Sequence, residues 1–350
     1  MIILSNCLTD VADEGCRKVV ASLTRRIKAA EPHTLVVSYE NESSMSDRHI
    51  PVNKMMVSRE LAALLRQRQE PLLYLPSPAK MRSTAIRLAV LSRYARWGLR
   101  VVLPMEFPVD GLSRRLICAS GAEVIALSEP TFRTYRAAFG NKARRLYAGV
   151  DTAQFIPVDE ARKVALREKY GIPKDKPVVL HVGHLKVGRG IGCLADIGEE
   201  FYVILVASTQ TAAEWENDLR SYLETRTNLT IIDTYLPHIE EIYQLSDVYL
   251  FPVEQAENCI DVPLSALEAA SCGIPVLATA YGELQELLEK DGFCPIRSFA
   301  PEALNEQIRQ IMKEGRNPRK SVLKYDWNLA TAQLLPKSTS ENKEEEYART

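Results

Sequence analysis

The stretch Glu257 to Glu286, ENCIDVPLSALEAASCGIPVLATAYGELQE, combines a loop, a helix, a short apolar strand and the start of a second helix. The first helix is predicted to open around Asp261 with Pro263 in its first turn, where the missing N–H of proline costs no helical hydrogen bond. Gly273 is predicted to stop this helix, and the apolar run Ile274 to Ala278 is typical of a core strand. A helix that leads directly into a buried strand indicates an α/β fold.

Three polar side chains share one face of this predicted helix. Asp261, Ser265 and Glu268 are spaced at i, i+4 and i+7,. A helix N-terminus favours an anion such as a phosphate, because its free N–H groups and dipole are positive there. A carboxylate two turns further on can accept hydrogen bonds from hydroxyl groups. The stretch therefore suits a ligand with both a phosphate and a diol; the alternative is that Glu268 only caps a neighbouring loop.

The rest of the chain alternates strands and helices, which predicts parallel sheets covered by helices on both faces. Residues 148–158 interrupt the alternation, so we predict an N-terminal domain over residues 1–150 and a C-terminal domain over residues 151–336. The polar tail, residues 337–350, is predicted to be disordered. Two doubly wound halves place a cleft between the carboxyl ends of their strands.

The composition is ordinary for a globular protein, with 46% hydrophobic and 25% charged residues,. The net charge is −1, but residues 1–150 carry 23 Lys and Arg against 13 Asp and Glu, and the remainder carries 21 against 32. The basic half predicts contact with an anionic partner or surface. Seven cysteines without a C-x-x-C pair indicate free thiols in a reducing compartment,. We find neither a signal peptide nor an apolar run of about 18 residues, and so expect a cytoplasmic protein.

A second cationic feature lies in Lys80 to Trp97, which is predicted to be one helix. Arg82, Arg93 and Arg96 fall within a wedge of about 60° on that helix, and Arg100 follows its end,. Each cation near an anionic leaflet contributes about 1 kcal/mol of binding. The cluster predicts contact with an anionic membrane surface or acceptor; the alternative is an ordinary solvated face.

The segment HVGHLKVGRG, residues 181–190, follows a predicted strand over Pro177 to Val182. Gly183 permits close approach of the backbone to a ligand. His184 and Arg189 place donor groups at the carboxyl edge of the sheet, and Arg189 keeps its charge at neutral pH. The segment therefore predicts a diphosphate clamp, although His184 alone would be read as an ordinary loop histidine.

Motifs between residues 122 and 330 together resemble one family. They comprise Val182-Gly183-His184-Leu185 with Arg189-Gly190, Leu267-Glu268-Ala269 with Cys272-Gly273, Pro275-Val276 and Ala278-Thr279, Gly282 with Glu286, Ala148-Gly149-Val150-Asp151 with Phe155 and Pro157, and Trp327. The chain resembles a family 4 glycosyltransferase, a retaining enzyme with the GT-B fold of two Rossmann-like domains facing a cleft. Gly15 is similar to the glycine-rich loop of that family, and residues 1–121 otherwise match it only in architecture.

The resemblance implies transfer of a sugar from a nucleotide-diphosphate sugar, with retention of configuration and without a metal or other cofactor. Glu268 would accept hydrogen bonds from the ribose, while Arg189 and His184 would hold the diphosphate and stabilise the departing anion. The donor-binding residues implied are Gly15, Gly183, His184, Arg189, Ser265 and Glu268. Arg189, Glu268 and Asp261 are the implied catalytic residues.

The chain departs from the family pattern at one carboxylate. The family has a glutamate eight positions before Glu268, where this chain has Ile260. Asp261, Glu257 or Glu254 would have to replace it, and Asp261 is favoured because it shares the predicted helix face.

The leading hypothesis is a glycosyltransferase at the cytoplasmic face of a membrane, acting on a lipid-linked or anionic acceptor. A non-catalytic relative that binds a nucleotide sugar or a partner protein is the alternative, and an epimerase of the same fold is a third. No nucleic-acid partner is expected, and the sequence leaves the sugar, the acceptor and the oligomeric state open.

Overall fold

Two parallel sheets flanked by helices organise the chain, in a computed structural model that describes residues 1–10, 14–77, 80–207, 216–254 and 259–335. The strand order is 3-2-1-4-5-6-7 in the first sheet and 10-9-8-11-12-13 in the second, and all the strand pairs are parallel. The predicted α/β class with two Rossmann-like domains is confirmed. The predicted tail, residues 337–350, and Glu257 lie outside the described residues.

The N-terminal domain contains the first sheet. Its strands are β1 (Ile2–Ser5), β2 (Leu35–Ser38), β3 (Arg48–His49), β4 (Leu72–Leu75), β5 (Leu99–Leu103), β6 (Glu123–Ala126) and β7 (Ala143–Arg145). Its helices are α1 (Gly15–Ala30), α2 (Arg59–Arg68), α3 (Met81–Leu91), α4 (Gly111–Ser120) and α5 (Glu129–Phe139).

The C-terminal domain contains the second sheet. Its strands are β8 (Val178–Gly183), β9 (Tyr202–Ala207), β10 (Leu229–Ile232), β11 (Val248–Phe251), β12 (Val276–Ala278) and β13 (Phe293–Pro295). Its helices are α6 (Glu160–Lys169), α7 (Glu216–Glu224), α8 (Ile239–Gln244), α9 (Leu264–Ser271), α10 (Pro301–Glu314), α11 (Arg319–Val322) and α12 (Trp327–Leu334).

The central strands are apolar throughout because helices cover both faces of each sheet. All four residues of β1 and of β11 are buried, which is the pattern of a parallel sheet rather than of one with a wet face. Several helices begin at a side chain that caps their first free N–H groups, as Ser128 does for α5 and Asp159 for α6,. Local capping and two-sided burial therefore account for the element order.

The last helix of the chain returns to the first domain. Helix α12 packs on α1, and the Arg144 guanidinium donates to the Gln333 carbonyl at 3.2 Å. The chain returns to the N-terminal domain beside the linker through which it left, because the Trp327 N–H donates to the Val150 carbonyl at 3.0 Å. The chain therefore passes between the domains twice. The contact between these two segments holds the domains in one arrangement around the cleft.

The predicted helix Lys80 to Trp97 is too long, and its cationic face is wrong. Helix α3 ends at Leu91, and turns lead from there to Gly98, whose φ of +121° permits the bend into β5,. Helix α3 has 11 residues and is about 16 Å long,. Arg82 lies in its first turn, and Arg93 lies beyond its end, so they cannot share a patch.

The four arginines also differ in their surroundings. Arg82 is paired with Asp110 at 2.7 Å, while Arg93 and Arg96 are exposed. Arg100 belongs to β5 and contacts the Met1 sulfur at 3.3 Å, and burial lowers its pKa. Because Arg93 and Arg96 precede β5, they lie at the opposite edge of the sheet from the cleft, and none of the four lines it. The predicted contact of these four arginines with a membrane surface or an acceptor therefore stays a prediction, and any such contact would be made outside the cleft.

Helix α9 starts later than predicted. It begins at Leu264, after Pro263, and Gly273 follows its end with a φ of +81°. Asp261 consequently lies before the helix and does not share the face of Ser265 and Glu268. The second predicted helix is a short 3-10 turn over Gly282–Glu286.

Candidate active site in the interdomain cleft

A cavity of about 640 Å³ lies between the two domains, within the usual range for a small-molecule site,. One wall is the start and inner face of α1, and the other is formed by the carboxyl end of β8, the loop after β10, and α9. Residues 151, 154 and 155 of the linker close one end. All six residues predicted to bind the donor line it, namely Gly15, Gly183, His184, Arg189, Ser265 and Glu268.

Arg189 is a buried cation that faces this cavity. Arg189 is only 4% exposed. In the part of the chain that the structure describes, its Nε has no hydrogen-bond partner. Within that part no carboxylate pairs with it, and its Nη2 donates to the Cys259 sulfur at 3.9 Å. A buried charge is costly without a partner, so this guanidinium is arranged to receive an anion.

Two glycines allow Arg189 to occupy this position. A Cβ on Gly183 would lie 2.9 Å from the Arg189 Nη2 atom, so only glycine leaves room for the guanidinium beside β8. Gly190 has a φ of +69°, and a Cβ there would lie 2.4 Å from the Pro252 carbonyl oxygen,. The loop therefore folds tightly onto the end of the sheet and directs Arg189 into the cavity.

His181, on β8, stays neutral beneath this cation. It is completely buried, and burial together with the charge of Arg189 lowers its pKa to about 3. Its Nδ1 is 2.8 Å from the Leu250 carbonyl oxygen, which can only accept, so Nδ1 carries the proton,. A neutral imidazole adds no second positive charge that would repel Arg189.

Glu268, on α9, is a buried carboxylate at another wall of the cavity. It is 2% exposed; its Oε1 is ion-paired with Lys18 of α1, and its Oε2 accepts from the Tyr243 hydroxyl at 3.0 Å. The alternative role as a loop cap is not observed, since both partners are side chains of other helices. Ser265 lies one turn earlier and accepts from the Tyr249 hydroxyl at 2.7 Å.

Gly15 lies where α1 meets the opposite domain. A Cβ at this position would be 3.1 Å from the Cδ1 atom of Ile260. The N–H groups of Cys16 and Arg17 already donate to the Glu14 carboxylate, each at 3.1 Å. Gly15 therefore permits close approach of the domains, while the first free N–H groups of α1 are satisfied by the chain itself.

Asp261 does not line the cavity, so the structure does not bring it together with Arg189 and Glu268, the other two predicted catalytic residues. Its carboxylate accepts from the Thr131 hydroxyl at the start of α5, in the N-terminal domain. Burial raises the pKa of Asp261 from its ordinary value of 3.8 to about 6, although the hydrogen bond from Thr131 opposes that rise. Because α9 begins three residues later than predicted, Asp261 turns toward the domain contact and Ile260 faces the cavity in its place.

A second ionic contact joins the domains behind the cavity. Glu283 is fully buried; it pairs with Arg145 and accepts from the Tyr325 hydroxyl and, at 2.7 Å, from the N–H of Glu129. Burial raises the pKa of Glu283, whereas its contacts with Tyr325 and Arg145 lower it. This network fixes α5 against the C-terminal domain and thereby helps to set the width of the cleft.

Sequence reasoning missed Lys18, Tyr243 and His181. Lys18 and Glu268 are 250 positions apart in the sequence, and no local sequence pattern predicts such a pair. His181 stands in the quoted segment, but its burial within β8 separates it from the loop histidine that the motif suggested. Only the packing of the two domains reveals these roles.

The described ranges contain no cluster of three or more His, Cys, Asp or Glu side chains arranged to hold a metal ion. Across the same ranges, no helix has the length and apolar character needed to cross a bilayer.

Two parallel-sheet Rossmann-like domains that face one ligand-sized cavity define the GT-B class of fold. Residues 176–314, in the C-terminal domain, match the family model of glycosyl transferases group 1.

Two related transferases match the chain over part of their length. The sulfoquinovosyl transferase SQD2 of Arabidopsis thaliana is 24% identical over 209 residues, which cover 55% of this chain and 39% of the relative. A GDP-mannose-dependent α-(1-6)-phosphatidylinositol monomannoside mannosyltransferase of Mycolicibacterium smegmatis is 28% identical over 191 residues, covering 51% of this chain and 50% of the relative. The chain thus spans half or less of the length of these proteins.

The structure of Anabaena Alr3699/HepE in complex with UDP is similar over nearly the whole chain. It has a TM-score of 0.72 and 17% identity and covers 99% of this chain and 100% of that one. At this identity the similarity establishes the fold.

Proposed function

We propose that the protein is a retaining, metal-independent glycosyltransferase of family 4 that uses a nucleotide-diphosphate sugar as donor. The observation that carries the proposal is the buried guanidinium of Arg189, which has no carboxylate partner among the described residues and faces the same cavity as Glu268. A cation without a partner and a carboxylate in one cavity match the opposite charges and hydroxyls of a nucleotide sugar. UDP bound to the structurally similar HepE supports the same ligand class.

In this proposal the donor lies along the C-terminal wall of the cavity. The diphosphate binds at Arg189 and His184, close to the Gly183 backbone, and the ribose hydroxyls donate to Glu268. The nucleobase then extends toward the loop over residues 234–239, which lines the same cavity. This order uses Gly183, His184, Arg189 and Glu268, four of the six predicted donor residues.

Arg189 would also act in the chemical step. When the bond from the anomeric carbon to the diphosphate oxygen breaks, negative charge grows on the leaving group, and a fixed guanidinium stabilises that charge. The low exposure of Arg189 strengthens this effect because little water screens it,. Charge stabilisation by a side chain is the basis for proposing a reaction without a metal.

The acceptor is proposed to be lipid-linked or anionic. The name of the mannosyltransferase relative includes a phosphatidylinositol mannoside, and residues 1–150 are the basic part of this chain. The inner face of α1 brings Arg25 and Arg26 to the cavity wall. These cations, rather than the arginines around α3, are placed to meet an acceptor in the cleft.

A nucleotide and donor screen tests the proposal on the unmodified protein. We expect UDP, GDP or ADP to raise the melting temperature, since a ligand at about 100 times its Kd adds about 2.7 kcal/mol to the free energy of unfolding. Nucleotide release from the matching sugar donor, measured by mass spectrometry, is expected to increase when lipid acceptors are added. If none of the three nucleotides stabilises the protein, the proposed donor site is rejected.

A specific observation favours one second candidate, a non-catalytic relative that binds the nucleotide sugar. Ile260 faces the cavity where the family has a glutamate, and Asp261 points away from it. Tight nucleotide binding with no turnover across a panel of donors and acceptors would favour this candidate. Conversion of the donor without any acceptor would indicate an epimerase instead.

Peripheral membrane contact is proposed for the turn after α3 alone. Arg93 and Arg96 are exposed there, and the neighbouring Trp97 is 60% exposed, a combination suited to an anionic bilayer surface. Replacing both arginines with glutamate is expected to weaken binding to vesicles with phosphatidylserine by at least about 30-fold, or about 2 kcal/mol. The control is Lys313→Glu with Lys320→Glu on the other domain; equal binding by both variants would reject the membrane contact.

A further inference from the structure

The ion pair between Lys18 and Glu268 is unusual in its position. Lys18 belongs to α1 of the N-terminal domain, whereas Glu268 belongs to α9 of the C-terminal domain, and both line the cavity. The carboxylate is 2% exposed, so it is nearly cut off from water. Removing a charge from water at such a site requires a partner of opposite charge. That partner comes from the N-terminal domain, whereas Glu268 belongs to the C-terminal domain.

The two protein contacts of Glu268 leave room for a ligand. A carboxylate has about four acceptor positions on its two oxygens. Lys18 uses a position on Oε1, and the Tyr243 hydroxyl uses a position on Oε2. Counting only partners in the part of the chain that the structure describes, two positions remain, one on each oxygen, which is the number that two neighbouring hydroxyls of a ribose require. Lys18 therefore need not leave for the diol to bind.

Lys18 is itself held in place on a third side. Its ammonium lies 5.6 Å from the centre of the Phe155 ring, which belongs to the linker,. The Phe155 carbonyl accepts from the Arg319 guanidinium at 2.7 Å, so the linker is anchored to the C-terminal domain at this point. The position of the ammonium thus reports the arrangement of α1, the linker and α9 together.

From these contacts we propose that Lys18 is a positioning residue through which the N-terminal domain takes part in donor recognition. It pairs with the Glu268 carboxylate and orients it, so the ribose diol binds strongly where α1 and α9 are in contact. The inference rests on the proposed donor site and adds a contribution from the opposite domain.

Comparison of ribonucleotides with their 2′-deoxy forms tests this role. UDP, GDP and ADP are titrated calorimetrically against wild-type protein, and the one that binds is compared with its 2′-deoxy form. In Lys18→Met we expect the preference for the ribonucleotide to fall about tenfold, since hydrogen bonds to a charged group are the stronger ones. Lys18→Arg is expected to keep most of the preference, because it restores the positive charge. In Glu268→Gln, adding Lys18→Met is expected to have little further effect.

Lys28→Met is the matched control, because Lys28 lies on the same helix, pairs with Asp47 and does not line the cavity. An unchanged ribose preference in Lys18→Met would overturn the proposal, and so would tighter ribonucleotide binding, which would make Lys18 a competitor of the ribose. If wild-type protein binds none of the three nucleotides, the donor site itself fails and this inference falls with it. Should Lys18→Met not fold, Lys18→Gln provides the same comparison.

Discussion

Replacement of Arg189 by alanine is expected to lower the affinity for a nucleoside diphosphate by about 100-fold or more. A guanidinium makes charge-assisted hydrogen bonds to phosphate that are worth about 1.5 to 3 kcal/mol each, and Arg189 can make two. Its low exposure removes the competition from water. Calorimetric titration of the variant with the nucleotide that binds the wild-type protein measures the loss.

The corresponding nucleoside is the internal control, because it lacks the phosphates and is expected to bind both proteins alike. We also expect the empty variant to melt at the same or a higher temperature, since it no longer buries a charge without a carboxylate partner in the described chain,. Arg189→Lys should recover part of the affinity, because it restores the charge without the planar fork. Unchanged diphosphate affinity would refute the clamp, and a lower melting temperature would indicate a structural role instead.

The second large effect is expected in the stability of the domain contact at Asp261. The pKa of Asp261 is raised to about 6 in the folded protein from an ordinary value of 3.8. The folded state therefore binds more protons than the unfolded state between these two pH values, and stability falls as the pH rises through that window. The loss is about 3 kcal/mol at full ionisation.

Asp261→Asn removes this titration and keeps an oxygen for Thr131. Relative to wild type, we expect the variant to gain up to about 3 kcal/mol in the free energy of unfolding between pH 4 and pH 7. Urea unfolding of both proteins at several pH values measures this difference.

Thr131→Val is expected to have the opposite effect on stability, because it deletes a hydrogen bond that lowers the pKa of Asp261. That variant should lose more stability at pH 7 than at pH 4. A constant difference between Asp261→Asn and wild type across this range would show that Asp261 is not the group responsible. Loss of all transfer activity in Asp261→Asn, with the fold intact, would instead restore the catalytic role.

Much of the site was predictable because its residues follow one another on a few sheet edges. Gly183, His184 and Arg189 follow β8, and Ser265 and Glu268 occupy neighbouring turns of α9, so local spacing placed them correctly. Parallel strands end at the same edge, which brings such loops together. The errors arose where packing of the whole molecule overrode a local sequence pattern. At Asp261, for example, the helix was predicted to begin three residues earlier than it does.

The prediction of one cationic face on the helix over residues 80–97 failed for a related reason. Helical periodicity treated residues 80–97 as continuous, but the chain must turn at Gly98 to enter β5, and the helix ends at Leu91. One arginine then joins the sheet and another pairs with Asp110. Periodicity describes a helix only as far as the helix extends.

The sequence by itself determined the α/β class with two Rossmann-like domains, and it named six residues that line the cavity, because strand hydrophobicity and glycine positions act over short stretches of chain. Only the tertiary structure decided that Lys18 meets Glu268, that Asp261 belongs to the domain contact and that Arg189 lacks a carboxylate partner in the described chain. These facts depend on which side chains of one domain face those of the other. The physical reason is that burial and charge pairing are properties of the packed molecule, where residues 250 positions apart come into contact,.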